Sequence, residues 1–216
     1  SNPDGFLGTL RCRPWHWKGN AVLLGDACHA ITPFFGQGCN CSFEDVVSLD
    51  QHMGAKGVMV PKSEMKKVFE CTFFIFSNTH THTHTYVHTY KPTAYDLDRK
   101  PNGDAIANLA LDNYVEMSNR TADPTFLLKK AIELRLSKTF PSMYVSRYSL
   151  VTQTLVPYRL CEEVSAIQDD ILDKLSSGIE SADDIDMVMA EKLIRHSLVP
   201  LFEENGIVDL ASIPRG

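Results

Sequence analysis

The sequence predicts a mixed α/β fold of the α+β kind, with helices toward the carboxy terminus. A short, fully apolar segment at residues 21–24 is ended by Gly25, which is typical of a buried strand. Apolar residues recur at helical spacing in residues 104–117 and again in Pro124–Thr139. Together these patterns predict a short strand region followed by amphipathic helices.

Composition narrows the class of protein. The chain has 216 residues, of which 44% are hydrophobic and 22% are charged, so its composition is globular rather than disordered. The net charge of -6 and the absence of a dominant Lys/Arg patch argue against nucleic acid as a partner.

No apolar run reaches the roughly 18 residues that a membrane helix needs. The first residues begin in mid-pattern without Met, so we expect a piece of a longer chain.

The first 53 residues predict two strands and a helix. Residues 11–17 alternate weakly and predict a strand, 18–20 a turn, and 21–24 the second strand. A glycine-rich loop then leads to a helix, capped by Asn40 or Ser42. With such a cap, Glu44 and Asp45 fall in the first turn, where they favour the helix dipole. The apolar residues that this helix carries are Phe43, Val46, Val47 and Leu49.

Residues 54–92 break the pattern. They contain a strict Thr-His alternation, which would line one face of a strand with the histidines at 80, 82 and 84. No carboxylate or Cys is interleaved, however, and such a repeat is low complexity. A translated non-coding CA repeat explains it best, an accidental His tract next, and a functional metal site least well. We therefore predict no metal site in the chain.

The globular pattern resumes after this segment. Helices are predicted over residues 104–117 and Pro124–Thr139, the second ended by Pro141. Residues 142–160 are aromatic and β-branched and fit helix or strand. The acidic residues 161–205 predict helix, with one face formed by Ile167, Ile171, Leu172 and Leu175.

Four regions follow from these patterns. Residues 1–53 are expected to form a strand-and-helix region that carries the Gly25-Asp26 motif, and 54–92 a low-complexity, disordered insert. Residues 93–160 are expected to form a helical region, and 161–216 an acidic helical tail.

The chemistry lies in residues 22–46, VLLGDACHAITPFFGQGCNCSFEDV. Asp26 follows an apolar strand, where a buried carboxylate needs hydrogen-bond donors such as the hydroxyls of a sugar or polyol. Pro33 opens an apolar wall, and Gly36 and Gly38 let the backbone approach a flat ligand closely. The helix beginning near Asn40 points amide donors and a positive dipole end at that ligand. A plain strand-turn-helix with a surface Asp is the alternative, but the full spacing G-D-A-x-H-x-x-x-P-x-x-G-Q-G-x-N is far more specific.

This motif resembles the second FAD-binding signature of the flavin-dependent aromatic hydroxylases. The residues that match are Gly25, Asp26, Ala27, His29, Pro33, Gly36, Gln37, Gly38 and Asn40. The resemblance implies FAD as cofactor and NADPH as co-substrate, with Asp26 on the ribitol chain. It also implies that the Gly36-Gln37-Gly38-Cys39-Asn40 segment lies against the isoalloxazine ring, with backbone contacts from Cys39 and Asn40, and that Pro33 belongs to the cofactor site. Residues 1–53 would then be the carboxy-terminal part of the FAD-binding domain, and 93–160 the substrate-side region.

A closer resemblance, over residues 6–53 and 95–160, is to the kynurenine-hydroxylating members of this family. It rests on Pro33–Phe35 with the glycines that follow, on Phe43-Glu44-Asp45, on Asp104-Ala105-Ile106 and on Asn113-Tyr114-x-Glu116-Met117. It implies a partial para-hydroxybenzoate-hydroxylase-like fold, with L-kynurenine and O2 as substrates and Asn113 and Tyr148 at the kynurenine pocket. It also implies a location at the outer mitochondrial membrane.

Two departures from the family pattern bear on this expectation. The amino-terminal Rossmann unit with its G-x-G-x-x-G is absent from these 216 residues, as are the arginine and tyrosine it supplies to substrate. The carboxy-terminal membrane anchor is not visible either, since residues 161–216 are polar and acidic. We therefore expect this piece to be inactive alone, and two rival interpretations stay open. One is a hydroxylase of phenol, salicylate or a quinone precursor, and the other is a non-catalytic fragment.

His29 and the cysteines carry no predicted catalytic role. The aniline nitrogen of kynurenine activates its own ring, so His29 is expected to pack or hydrogen-bond rather than act as a base. Cys39 and Cys41 are separated by one residue, unlike the two-residue gap usual in zinc motifs. We expect the six cysteines to be reduced, buried or incidental thiols.

Overall fold

The structure is a computed structural model, and it describes residues 5–17, 21–53, 94–119 and 123–213. Two units contain these residues. The first takes in the described part of Ser1–Ile31 and Gly38–Asp104, and the second Thr32–Gln37 and the described part of Ala105–Gly216. The insert predicted at 54–92 and the turn predicted at 18–20 lie outside the described residues. The four regions drawn from the sequence stay a prediction.

The first unit contains the small sheet. Strands β1 (His16–Trp17) and β2 (Ala21–Val22) pair antiparallel, with His16 opposite Val22 and Trp17 opposite Ala21. The strand predicted over 11–17 is therefore confined to its last two residues. Pro14 has no N–H to give to a ladder, which limits β pairing on its amino-terminal side. The preceding chain pairs instead with the segment after β2, because the Cys12 amide donates to the Cys28 carbonyl at 3.3 Å.

Three helices surround the core of this unit. Helix α1 (Asp26–His29) follows β2, α2 (Gly38–Met53) follows a 3-10 turn, and the first part of α3 (Ala94–Asn119) completes it. The core packs Trp15 against Cys28, Leu49 and Tyr95. Of the apolar residues predicted on α2, only Leu49 is buried, while Phe43, Val46 and Val47 are exposed.

Helix α3 begins ten residues before the predicted start at 104 and runs through Pro101. A proline inside a helix removes one hydrogen bond, which is why the pattern was expected to begin after it. Here Tyr95 and Arg99 are buried ahead of Pro101, and tertiary packing holds these turns helical. Pro101 itself is exposed, and the Asn102 side chain donates to the Asp98 carbonyl beside it at 2.8 Å.

In the described residues of the second unit, the regular secondary structure is helical. Helix α4 (Pro124–Thr139) has the predicted bounds, and the Asp123 side chain caps it by accepting from the Thr125 amide at 3.0 Å. The ambiguous stretch 142–160 forms helix α5 (Arg147–Gln153) and the start of α6 (Tyr158–Ser176). Helices α7 (Met187–Ser197) and α8 (Val199–Glu204) follow. On α6, the predicted apolar face is turned inward: Ile171, Leu172 and Leu175 are buried, and Ile167 is half-buried.

The described residues thus form mostly helices with one small antiparallel sheet, consistent with the predicted mixed fold. Among them, no helix combines the length and apolarity needed to cross a bilayer.

Candidate functional site

The corner at Gly25 depends on the absence of a side chain. Gly25 has φ 58°, a left-handed value that L-residues rarely adopt. A Cβ placed there would lie 2.7 Å from Ser42 Oγ and 3.0 Å from Ser42 Cβ. The Gly25 carbonyl accepts from the amides of Cys28 and His29, at 2.9 and 3.0 Å, which closes α1. Asp26, the predicted ribitol ligand, is therefore the first residue of α1, and it is exposed.

A buried ion-pair network lies directly behind this corner. Asp45 on α2 is fully buried, and its Oδ2 accepts from the Gly25 amide at 3.1 Å and lies 2.5 Å from His29 Nε2. Its Oδ1 accepts from Arg99 Nε at 2.8 Å. Arg99 also contacts Glu44 Oε2 at 3.0 Å. The network therefore connects α1, α2 and α3 within the first unit.

Asp45 and Arg99 stabilise each other's charges. Burial opposes ionisation of Asp45, but hydrogen bonds from His29 and Arg99 outweigh it and hold the pKa of Asp45 below its ordinary value. Burial likewise opposes the charge of Arg99, but the hydrogen bond to Asp45 outweighs this effect, so the pKa of Arg99 lies above its ordinary value. Burial raises the pKa values of three nearby groups, Cys28, Cys41 and Tyr95. The negative charge of Asp45 raises these pKa values further.

The same residues could be mistaken for a metal site. Ligand atoms of Cys28, His29 and Asp45 lie within 4.8 Å of one another. However, both oxygens of Asp45 already have partners. Oδ1 accepts from Arg99 Nε, and Oδ2 accepts from the Gly25 amide and lies 2.5 Å from His29 Nε2. We interpret the cluster as a structural ion pair, which agrees with the packing role predicted for His29.

Helix α2 begins at the predicted flavin residues, two residues before the expected cap. Gly38 is its first residue, and Cys39 and Asn40 in its first turn are exposed. The first turn of a helix carries amide donors and the positive end of the helix dipole, which suits an electron-rich ligand edge. Because the helix starts at Gly38, Glu44 and Asp45 lie in its second turn. The dipole role expected of them is wrong for this geometry.

The segment between α1 and α2 belongs to the second unit. Pro33–Phe35 form a single 3-10 turn, and the Gly36 amide closes it by donating to the Pro33 carbonyl at 3.0 Å. Gly36 has φ 67°, so its backbone conformation favours glycine although nothing would meet a Cβ within 4 Å. Gln37 is buried, and its Oε1 accepts from the Tyr158 hydroxyl at 3.1 Å.

Both predicted substrate residues contact this turn within the second unit. Asn113 Nδ2 donates to the Phe34 carbonyl at 2.7 Å. The Tyr148 ring stacks near Phe35, with 6.0 Å between ring centroids and 24° between planes, and more than half of this side chain is exposed. The family resemblance thus selected two residues, 35 positions apart, that contact adjacent residues of one turn. Their role toward substrate stays a prediction.

Sequence reasoning missed Asp45 and Arg99 as members of a buried network. A signal for Asp45 was present, because it shares a helical face with Cys41, Ser48 and Leu49, all buried. Arg99 lies 54 positions further along the chain, and no local pattern pairs it with Asp45.

Comparison with known proteins agrees with this geometry. Residues 9–56 match the FAD-binding domain family, a match that contains the Gly25 corner and the start of α2. For residues 9–56, this match indicates the fold class of FAD-binding domains.

Individual proteins similar to nearly the whole chain are kynurenine 3-monooxygenases. The chain is 42% identical to that of Myxococcus xanthus over 205 residues, which is 95% of this chain and 38% of the relative. It is 38% identical to that of Dictyostelium discoideum over 199 residues, or 91% and 40%. It is 36% identical to that of Stenotrophomonas maltophilia over 202 residues, or 94% and 38%. The predicted resemblance is confirmed, and the chain spans about two fifths of the length of these relatives.

Proposed function

We propose that this chain is part of an FAD- and NADPH-dependent monooxygenase that hydroxylates L-kynurenine to 3-hydroxykynurenine. In the balanced reaction, O2 supplies one oxygen to the ring and one to water, and NADPH supplies the two electrons. The similarity to kynurenine 3-monooxygenases over nearly the whole chain carries this proposal. Bound FAD would accept hydride from NADPH and deliver oxygen to the ring.

The residues of the chain have separate roles in this proposal. Asp26, exposed at the start of α1, accepts hydrogen bonds from ribitol hydroxyls. Gly36 and Gly38 keep the backbone bare beside the flavin ring, with Pro33 on its apolar side. The amides at Cys39 and Asn40 lie in the positive first turn of α2, which favours negative charge on a reduced flavin.

The substrate side is proposed to lie around the Pro33–Phe35 turn. Asn113 uses one amide proton on the Phe34 carbonyl, which leaves its side-chain oxygen as an acceptor for an ammonium group. Tyr148 offers a hydroxyl on an exposed ring beside Phe35. On the same resemblance we propose attachment of the whole protein to the outer mitochondrial membrane.

A chimera tests the proposed activity. Residues 9–53 and 94–205 replace the equivalent segments of the Myxococcus xanthus relative, and the unmodified relative is the control. We expect a yellow, FAD-containing protein whose NADPH oxidation is stimulated by L-kynurenine and yields 3-hydroxykynurenine by chromatography. A flavin-bound chimera that responds instead to phenol or salicylate would refute the substrate assignment.

Asp26→Ala in this chimera tests the cofactor assignment. Removal of the ribitol acceptor leaves hydroxyls unpaired, at a cost of about 1–3 kcal/mol each, so FAD affinity should fall about tenfold or more. Asp50→Ala, at an exposed position of α2, is the matched control. Unchanged flavin content after dialysis of the Asp26 variant would contradict the ribitol role.

A further inference from the structure

Asp45 holds the short helix α1 at both of its ends. Its Oδ2 accepts from the amide of Gly25, the residue before the helix, at 3.1 Å. The same oxygen lies 2.5 Å from Nε2 of His29, the last residue of the helix. Asp26, the exposed residue assigned to ribitol, lies between these two anchored points.

We call the contacts of Asp45 with Gly25 and His29 the clamp, and its side chains are buried. Side-chain exposure is 0% for Asp45, 2% for His29 and 7% for Arg99. His29 Nδ1 is buried with no hydrogen-bond partner in the part of the chain that the structure describes. The tautomer with its proton on Nε2 leaves no buried donor unpaired and gives Asp45 the donor it needs.

Arg99 supplies the counter-charge that makes a buried carboxylate tolerable. Its Nε donates to Asp45 Oδ1 at 2.8 Å, and its NH2 group donates to the Cys41 carbonyl at 3.3 Å. A carboxylate without this partner would carry a large desolvation penalty. The guanidinium therefore frees Oδ2 to accept from Gly25 and His29 at once.

We propose that Asp45 is a positioning residue of the flavin site, which fixes α1 so that the Asp26 carboxylate is aimed at the ribitol hydroxyls. This inference rests on the proposed FAD-binding role of Asp26. Asp45 itself is fully buried, so the proposal assigns its effect on binding to the position of Asp26 on α1 rather than to direct contact with FAD. That assignment separates positioning from a general contribution to stability.

A double-mutant cycle tests this dependence. FAD is titrated into the 216-residue chain and followed by amide NMR shifts, which report affinities as weak as millimolar. The variants are Asp45→Asn, Asp26→Asn and the two combined, with Asp50→Asn on the exposed face of α2 as the matched control. We expect each of the first two to weaken FAD about tenfold, the pair to be no weaker than either alone, and the control to bind as the wild type. Additive losses of about a hundredfold for the pair, or wild-type affinity in Asp45→Asn, would overturn the positioning role.

A measurement on the wild type stands even if Asp45→Asn does not fold. The Gly25 amide should exchange slowly with solvent, at rates like those of the Cys28 and His29 amides. Exchange at the rate of an unprotected amide would overturn the clamp. If the wild-type chain shows no FAD-induced shifts at Asp26 or at residues 38–40, the same cycle is measured in the chimera, and a wild-type chimera that binds no FAD would refute the proposed FAD function and the positioning role with it. Loss of coupling with wild-type binding intact refutes the positioning role alone.

Discussion

Replacing Gly25 by alanine should destabilise the first unit more than an ordinary glycine substitution would. An alanine at this position must adopt φ 58°. Its Cβ would lie 2.7 Å from Ser42 Oγ, well inside van der Waals contact. The Ser42 hydroxyl cannot simply rotate away at no cost, since it donates to the Gly38 carbonyl at 2.8 Å. Two separate penalties therefore act at one position.

The expected cost follows from these two penalties. With ψ −139°, Gly25 lies in a sparsely populated backbone region, which costs a non-glycine residue about 1–3 kcal/mol. Overpacking against Ser42 adds about 1–3 kcal/mol. Reduced entropy of the unfolded chain returns about 0.4–1 kcal/mol. The free energy of unfolding should therefore fall by about 1–6 kcal/mol, with a central value of about 3 kcal/mol.

Urea unfolding followed by tryptophan fluorescence measures this loss, because Trp15 is buried in the core of the same unit. Gly38→Ala is the matched control: its Cβ would meet Ile31 Cγ1 at 3.6 Å, an ordinary contact, and its φ is not positive. We expect that variant to lie within about 0.5 kcal/mol of wild type. Ser42→Ala removes the nearer of the two close contacts, so in the Gly25→Ala background it should recover about 1 kcal/mol. Equal costs for Gly25→Ala and Gly38→Ala, or no recovery from Ser42→Ala, would refute the reasoning.

Three further outcomes are expected. The pKa of Asp45 is lowered on folding, so its contribution to stability is present above the unfolded value of about 3.9 and is lost as pH falls through the folded pKa. Asp45→Asn should therefore be destabilised at neutral pH and show a weaker acid dependence of its urea midpoint; an unchanged acid limb would contradict this. In the chimera, Asn113→Ala and Tyr148→Phe should each lower kcat/KM for kynurenine about ten- to hundredfold and leave flavin bound. Kynurenine-stimulated NADPH oxidation measures this loss. Loss of flavin instead would show that these residues do not belong to the substrate site. The purified 216-residue chain should lack stoichiometric FAD, because it contains no G-x-G-x-x-G phosphate loop, and a yellow protein would show otherwise.

Local signals predicted the structure best where they agreed with burial. Asp123 and Pro124 give a cap and a first-turn proline, and Pro141 follows the end, so α4 has the bounds expected from sequence. The start of α3 was missed because Pro101 is a local stop signal, whereas burial of Tyr95 and Arg99 is a tertiary effect. Propensity rules contain no information about what a segment packs against.

The candidate site likewise contains residues that a local motif selects and residues that tertiary packing alone brings together. The specific spacing along one short segment selected Asp26, Gly36 and Gly38 as candidate cofactor residues, and their role stays a prediction. Asn113 and Tyr148 were placed by resemblance, and both contact the Pro33–Phe35 turn. The partnership of Asp45 with Arg99 joins residues 54 positions apart and depends on how α2 packs against α3, which periodicity does not specify.

Burial also sorts the thiols by chemical reactivity. Nucleophilic attack on an oxidant or an alkylating reagent requires the thiolate. Burial and the neighbouring Asp45 charge raise the pKa of Cys41 to about 12, and the Cys28 pKa is raised further still. Cys39, one residue into α2, is exposed. Cys28 and Cys41 are thereby disfavoured as nucleophiles, whereas exposed Cys39 in the first turn of α2 offers an accessible attachment point for a spectroscopic label.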